Sequence, residues 1–393
     1  MMLSYQRAAF DKAHRLLVQL KTEPHNTDIL FDLQVHLIGE VRKTEAKIRE
    51  YKNKLRDAEG TRDSLVKLWT RKVETYQYTK YIWNCFGDGI AFIYYDRFTL
   101  KHTYYDVDTI NVKQDSGFIS DKVGFYHEFA LLRKATALRI PCILCDLTNV
   151  IRFGDVCFAI DADPTIVEVK QTKRKLDRRG KRQKRKNAKL KQFYDEDESD
   201  DFRGGNTVYR TEFSSELEDS LASFDLCITM ALEHESAVCA EHDGVAMIGL
   251  TKPDNDVFEL FSGERYFVSY LNGLKSSMNW QPFYPFTLSI TSTQSLWEFV
   301  CGRVSVLCAL SRTLIEELAN AKGLEVTIVE NEEPRVRFTF DVGEEAYVEL
   351  AHIFHRAVVE GISPRWLVDS ATDSIELMKE RAKQATHPFL RQQ

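Results

Sequence analysis

Within Gly154–Lys170, GDVCFAIDADPTIVEVK, two acids and a base, Asp155, Glu168 and Lys170, are spaced so that a hairpin brings them together. The run reads as two short strands joined by a turn, Asp155 opening the first and Glu168-Val169-Lys170 closing the second. Successive side chains of a strand point to opposite faces. Glu168 and Lys170 therefore share one face, and Val167 and Val169 take the other. On the first strand Asp155, Cys157 and Ala159 line one side and Val156, Phe158 and Ile160 the opposite one. The bulky faces pack into a core while two carboxylates and an ammonium meet on the far face. Two carboxylates about 5 Å apart at an effective dielectric of about 20 repel by about 3 kcal/mol, equivalent to about 2 pKa units. A hard divalent ion removes that repulsion, and oxygen ligands with retained water suit Mg²⁺ or Mn²⁺. Lys170 beside such an ion can orient or help deprotonate a water and stabilise an anionic transition state. That is the chemistry of phosphodiester hydrolysis.

The elements around the hairpin must position these groups. Upstream, 123–138 (VGFYHEFALLRKATAL) reads as a helix with Glu128 on the stripe of Leu131, Leu132 and Ala135. A glutamate there either sits at the stripe's edge in water or serves the site. Residues 140–147 read as a strand, and 148–153 as a connector whose Arg152 either touches a phosphate or pairs on the surface. Downstream, residues 170–191 hold thirteen Lys and Arg and a single acid, Asp177. The part RRGKRQKRKNAKLKQFY has the spacing of a helix whose inward stripe is Gln183, Asn187, Leu190 and Tyr194. Its charge suits a phosphate backbone, with Arg178, Arg179, Lys181, Arg182, Gln183, Arg185 and Lys186 as contacts. A localisation-type basic run or a solvated loop are the blander readings. The acidic run DEDESDD at 195–201 neutralises it internally or shields it.

Asp155, a twelve-residue spacer and Glu168-x-Lys170 resemble the signature of the PD-(D/E)XK, or restriction-endonuclease-like, nuclease superfamily. The family's proline is replaced by Gly154. The resemblance, covering about residues 120–212, implies an αβββαβ core with the signature on a central hairpin. It implies Asp155 and Glu168 as metal ligands, Lys170 as the catalytic lysine and Glu128 as an acidic residue aimed at the metal from the preceding helix. Arg182-Gln183 matches the family's basic residue and glutamine on the helix after the ExK strand. By fold-level analogy it also implies a prokaryotic anti-phage or genome-maintenance role. The expected activity is a metal-dependent nuclease acting on DNA in preference to RNA. The alternative is a nuclease-like module that binds or scaffolds nucleic acid without cutting.

The whole chain has 393 residues, enough for two or three cored domains, and an ordinary apolar fraction that excludes a disordered protein. Its net charge is −6, so positive charge is concentrated rather than general. Eight scattered cysteines without a signal peptide suggest reduced thiols and a cytoplasmic protein, and Cys142-x-x-Cys145 lies in an apolar run without a second pair at zinc spacing. There is no run of eighteen apolar residues, so no membrane span is expected.

The expected fold is mixed α/β in three parts. Residues 1–80 form a helical hairpin or coiled-coil arm, either for self-association or a protein partner or packed on its own chain, with one helix over 4–20 and a longer one over 29–81 broken near Gly60. Residues 81–212 form the nuclease-like domain. In it Gly87-Asp88-Gly89 reads as a turn into a strand-like aromatic run rather than a phosphate cradle, since no GxGxxG or Walker lysine accompanies it, with Asp88 an outside candidate for the site. Residues 117–124 read as a flexible approach to the Glu128 helix that can line the groove, 203–206 as a link, and 207–212 as the sheet's fourth strand. Residues 213–393 form an α+β domain without an assigned role. Its expected helices are 214–232, 294–321 and 344–360, and its expected strands lie within 237–250, 257–261, 324–330 and 336–342. An aromatic patch at 280–286 and a packing pair, His352 and His355, complete it.

Overall fold

The computed structural model describes residues 6–58, 61–115, 117–122, 124–169, 178–211, 213, 215–240, 244–252, 255–261, 265–329, 335–341 and 345–386. It is mixed helix and sheet, and all its ladders are antiparallel. The chain divides into two compact units, one of residues 1–210 and 276–296, the other of 211–275 and 297–393. The 1–80 segment is therefore part of the first unit and not a separate arm, and the aromatic patch near Trp280 belongs to the first unit as well.

The first unit begins with helices α1 (Arg7–Thr22), α2 (Thr27–Arg56), α3 (Asp63–Tyr94) and α4 (Arg97–Tyr104). The α1–α2 break falls at Pro24-His25-Asn26, and the Asn26 side chain caps α2 by accepting from the Ile29 N–H at 3.3 Å. The second break separates Arg56 from Asp63; Gly60 lies outside the described residues. From Tyr81 to Phe92 every residue of α3 is buried, so this helix runs through the core rather than along it. Gly87-Asp88-Gly89 is consequently neither a turn nor a phosphate cradle, and no strand follows it. Gly87 serves close packing: a Cβ there would lie 1.9 Å from the Leu147 carbonyl oxygen.

Next come α5 (Phe125–Ala137), then β1 (Cys142–Leu144), β2 (Val156–Phe158) and β3 (Thr165–Val167), then α6 (Arg178–Glu196). The three strands form one sheet in that order, with Ile143 opposite Cys157 and Cys157 opposite Ile166. The expected strand over 140–147 is shorter, because Cys145–Leu147 turns into a 3-10 helix. Gly154, at φ +66, turns the chain into β2, and a Cβ there would meet Ile166 Cγ2 at 2.3 Å. Helix α6 buries Leu190, Phe193 and Tyr194 against Val107, Phe153 and Phe202. Strands β4 (Glu198–Phe202) and β5 (Asn206–Tyr209) form their own two-stranded hairpin. The expected fourth strand of the core sheet is therefore not there among the described residues, the 203–206 link is that hairpin's turn, and part of the acidic run is a strand. The cause is Phe202, which is fully buried and stacks on Phe193 at 4.4 Å, holding the hairpin to α6.

In the second unit, α7 (Leu221–His234), β6 (Ser236–Ala240), β7 (Val245–Leu250), α8 (Asn255–Phe261), β8 (Tyr266–Tyr270) and α9 (Leu271–Ser276) precede α10 (Phe286–Ser289), which returns to the first unit. Then follow α11 (Thr293–Val300), β9 (Ser305–Ser311), α12 (Arg312–Ala321), β10 (Glu325–Val329), β11 (Arg335–Asp341), β12 (Glu345–Leu350), α13 (His352–Glu360) and α14 (Pro364–Thr386). A four-stranded sheet runs β6-β7-β9-β8 and a three-stranded one β10-β11-β12. Three expectations fail here. Residues 257–261 are helical; 294–321 is split by the central strand β9, entered through Gly302 at φ +69; and 345–350 is a strand paired with β11. All eight cysteines are buried thiols, as the scattered spacing implied. Among the described residues no helix is long and apolar enough to cross a membrane.

Candidate active site

Asp155 stands immediately before β2 and Glu168 immediately after β3, at the same end of the hairpin. Backbone geometry fixes Asp155 from both sides: its N–H donates to the Val167 carbonyl and its carbonyl accepts from the Cys145 N–H, each at 3.0 Å. Its Oδ2 accepts from the Val169 N–H at 2.7 Å. Glu128, on the inward side of α5, is 1 % exposed, so the reading of a glutamate at the stripe's wet edge does not hold. Asp146, in the 3-10 turn after β1, is buried too.

Three of these carboxylates meet on one ammonium. Lys122 Nζ lies 2.7 Å from Asp155 Oδ1, 2.8 Å from Asp146 Oδ2 and 3.0 Å from Glu128 Oε1. Lys122 follows a 3-10 turn (Ile119–Asp121) in the segment expected to be a flexible approach. Burial pushes the Glu128 carboxyl up to about 7, the Lys122 contact opposes this, and the charges of Asp155 and Asp146 add to it. Burial works against the Lys122 charge, but Asp146 and Asp155 hold it well above the usual lysine range. Glu168 is raised by burial and by Asp155, and Asn187 Nδ2 steadies its anion by donating to Oε1 at 3.1 Å. Asn187 is on the stripe of α6 expected to face inward. Lys113 feels Glu168 as well; burial over the Phe153 ring lowers it to about 8. Lys170 lies outside the described residues.

The connector behind the site is pinned from α3. Asp88 accepts from the Asn149 N–H at 2.7 Å, the Val150 N–H at 2.9 Å, Asn149 Nδ2 at 2.8 Å and Gln281 Nε2 at 2.9 Å. Burial raises its carboxyl to about 6 against these donors. Arg152, expected at a phosphate or in a surface pair, is bonded internally. It donates to the Asn149 carbonyl at 2.9 Å and the Lys113 carbonyl at 2.6 Å, with its guanidinium 4.6 Å from the centre of the Tyr104 ring.

The basic helix is divided by its partners. Arg185 pairs with Asp108 at 2.6 Å, Lys186 with Asp106, and Lys189 with Asp201 at 3.1 Å. Arg185 and Lys186 are therefore compensated from the loop after α4 rather than chiefly by the acidic run. Arg178, Lys181, Arg182 and Lys184 are exposed, Gln183 is half-buried, and Arg179 shares the helix. These exposed cations precede the Asn187 that touches Glu168, on the same helix.

Lys122, Asp146, Asp106 and Asp108 are the site residues that sequence reasoning missed. Lys122, Asp106 and Asp108 lie in turns or loops without helical or strand periodicity; Asp146 fell near the end of the expected strand 140–147, whose apolar run hinted at burial. The donor set is all carboxylate oxygen, which is the chemistry of a hard divalent ion. One ammonium faces three carboxylates, leaving a formal charge of −2 before Glu168 is added. The oxygens stand at ammonium distance, and among the described residues there is no group of three His, Cys, Asp or Glu that could hold a metal ion. Comparison with family models, with curated proteins and with solved structures gave no match.

Proposed function

We propose that this chain is a metal-dependent nuclease of the PD-(D/E)XK kind, hydrolysing DNA in preference to RNA. The observation that carries the reading is the convergence of Glu128, Asp146 and Asp155 on one cation position, with Glu168 coupled to Asp155 at the same hairpin end. The element order α5-β1-β2-β3-α6 supports a restriction-endonuclease-like core, with the last strand diverted into the β4–β5 hairpin.

Asp155 and Glu168 are the proposed ligands of Mg²⁺ or Mn²⁺, assisted by Glu128 and Asp146. A bound divalent ion polarises a phosphodiester oxygen and lowers the pKa of a coordinated water. The backbone bonds to Asp155 and the Asn187 bond to Glu168 keep both carboxylates oriented. Lys170, two residues after Glu168, is assigned to orienting the water. The exposed cations of α6 grip the backbone of the nucleic acid.

The test is incubation of purified protein with supercoiled DNA, linear DNA and RNA in Mg²⁺, Mn²⁺ or EDTA, beside Asp155→Ala and Lys170→Ala. Metal-dependent cutting of DNA that both variants lose is the expected result. Salt-sensitive binding with no cutting under any metal favours the second reading, a binding module. That reading has one observation behind it: an ammonium already sits among the carboxylates.

A further inference from the structure

We propose that Lys122 is a resident counter-ion which a divalent cation must displace, so that the protein carries its own competitive block on metal loading; this rests on the reading of the site as a metal centre. An ammonium has three N–H donors. Lys122 donates to Asp146, in the 3-10 turn after β1, and to Asp155, at the start of β2, and it pairs with Glu128 of α5 at 3.0 Å. The resulting N–O separations of 2.7–3.0 Å spread the oxygens wider than direct coordination allows. Mg²⁺ takes its oxygens at roughly 2.0–2.1 Å. A metal ion bound to these oxygens would stand almost on Nζ, and two cations do not share that space. Occupancy is one or the other.

Charge favours the exchange. With the ammonium in place the three carboxylates keep a formal −2, and with a divalent ion in its stead they keep only −1. Access favours it too. The side chains of Glu128, Asp146 and Asp155 are 2 %, 7 % and 12 % exposed, whereas that of Lys122 is 28 % exposed. The lysine therefore enters from the solvent side on a flexible four-carbon stem, and withdraws along it without moving a carboxylate.

The seat of Lys122 is itself built. Glu45, fully buried on α2, accepts from the Ile119 N–H at 3.1 Å, the Ser120 N–H at 3.0 Å and the Ser120 hydroxyl at 2.6 Å. Phe118 packs into the cluster of Ile48, Val73 and Tyr76 between α2 and α3. Glu45 is thus a positioning residue: it holds the turn from which Lys122 reaches the carboxylates.

The test is Mn²⁺ binding to the full chain, read by electron paramagnetic resonance at fixed pH and ionic strength, with thermal melting in EDTA and in Mn²⁺. Lys122→Met binds Mn²⁺ at least about tenfold tighter than the wild type, melts lower in EDTA and regains the loss in Mn²⁺. Lys122→Arg keeps the block and the wild-type affinity, and Glu45→Gln falls between the two. Equal or weaker Mn²⁺ affinity in folded Lys122→Met overturns the proposal. If that variant does not fold, unchanged affinity in Glu45→Gln does so. Mn²⁺ binding that Asp155→Asn abolishes, but that Lys122→Met leaves at the wild-type level, rejects the competitor role alone. No Mn²⁺ binding by any variant rejects the metal centre and the block together.

Discussion

Gln34 holds Leu144 as a neighbouring strand would. Its Oε1 accepts from the Leu144 N–H at 2.8 Å while its Nε2 donates to the Cys142 carbonyl at 2.9 Å. A side chain of α2 thus satisfies the outer edge of β1, two residues before Asp146. Gln34 is fully buried, so no water replaces it easily. Gln34→Leu keeps the volume and strands two backbone groups, at about 1–3 kcal/mol each. Urea unfolding is expected to show a loss of about 3 kcal/mol; a loss below about 1 kcal/mol would mean that the edge finds other partners.

Gly87 gives a test in which two effects have opposite sign. In an ordinary helix Gly→Ala stabilises by about 1 kcal/mol. Here the new methyl would lie 1.9 Å from the Leu147 carbonyl oxygen, a backbone atom that cannot rotate away. The clash wins: Gly87→Ala is expected to destabilise by about 3 kcal/mol or more, since overpacking typically costs about 1–3 kcal/mol even where side chains yield. Because Leu147 follows Asp146, the same variant should also weaken Mn²⁺ binding. Unchanged unfolding would show that α3 and the turn are less close than described.

Asp88 carries a pH dependence. Its carboxyl is raised from 3.8 to about 6 by burial, so between these values the folded protein holds a proton that the unfolded chain has released. Stability from this group therefore falls as pH rises from about 4 to about 6 and is flat above, a change of about 3 kcal/mol for a shift of about two units. Carboxyl NMR on the ¹³C-labelled chain should find the Asp88 resonance titrating near 6. Gln281→Ala, which removes a donor to the anion, should move that midpoint higher. A midpoint at the ordinary aspartate value would contradict the burial argument.

The split of the basic helix predicts opposite effects on DNA affinity. Replacing the exposed Lys181, Arg182 and Lys184 together by Ala should flatten the log–log salt slope by roughly 2.7, at about 0.9 per phosphate contact. Asp108→Asn should act the other way. It frees Arg185 and relieves Lys189, both of which Asp108 now pairs, and so steepens the slope and tightens binding. Fluorescence anisotropy from 50 to 200 mM salt reads both. If neither variant moves the slope, DNA does not lie along α6.

What was legible in the sequence was what obeys a period. The apolar spacing of α1 and α2 and the stripe that carries Glu128 survive in the structure, whereas the expected alternation of β2 does not: Val156 and Cys157 are both buried, Phe158 is half-buried and Ile160 is exposed. Gly87-Asp88-Gly89 misled because its residues are turn-formers, whereas their job is tertiary: a close approach and a buried acceptor for Asn149 and Val150. Strand β9 was hidden because the interior of SVLCALS is apolar without alternation, so helix and strand look alike, and its partners β7 and β8 lie far away in sequence. Lys122 gave no sign of its role and Asp146 only the hint of a preceding apolar run, because a lone charged residue in a turn reads as solvated until the turn is seen to be buried.

The return of residues 276–296 to the first unit sets an order on biosynthesis. That late segment supplies Gln281 to Asp88, Thr287 to the Cys85 carbonyl, and Ile290 and Thr293 to the His14 ring. A nascent polypeptide that has emerged only through Arg210 has made every residue of the carboxylate cluster, but not the braces behind it. Completion must wait for dozens more codons, during which the second unit is begun and left open. A fragment cut at Arg210 should therefore be a poor stand-in for the intact first unit, and the catalytic centre proposed here is finished late in translation.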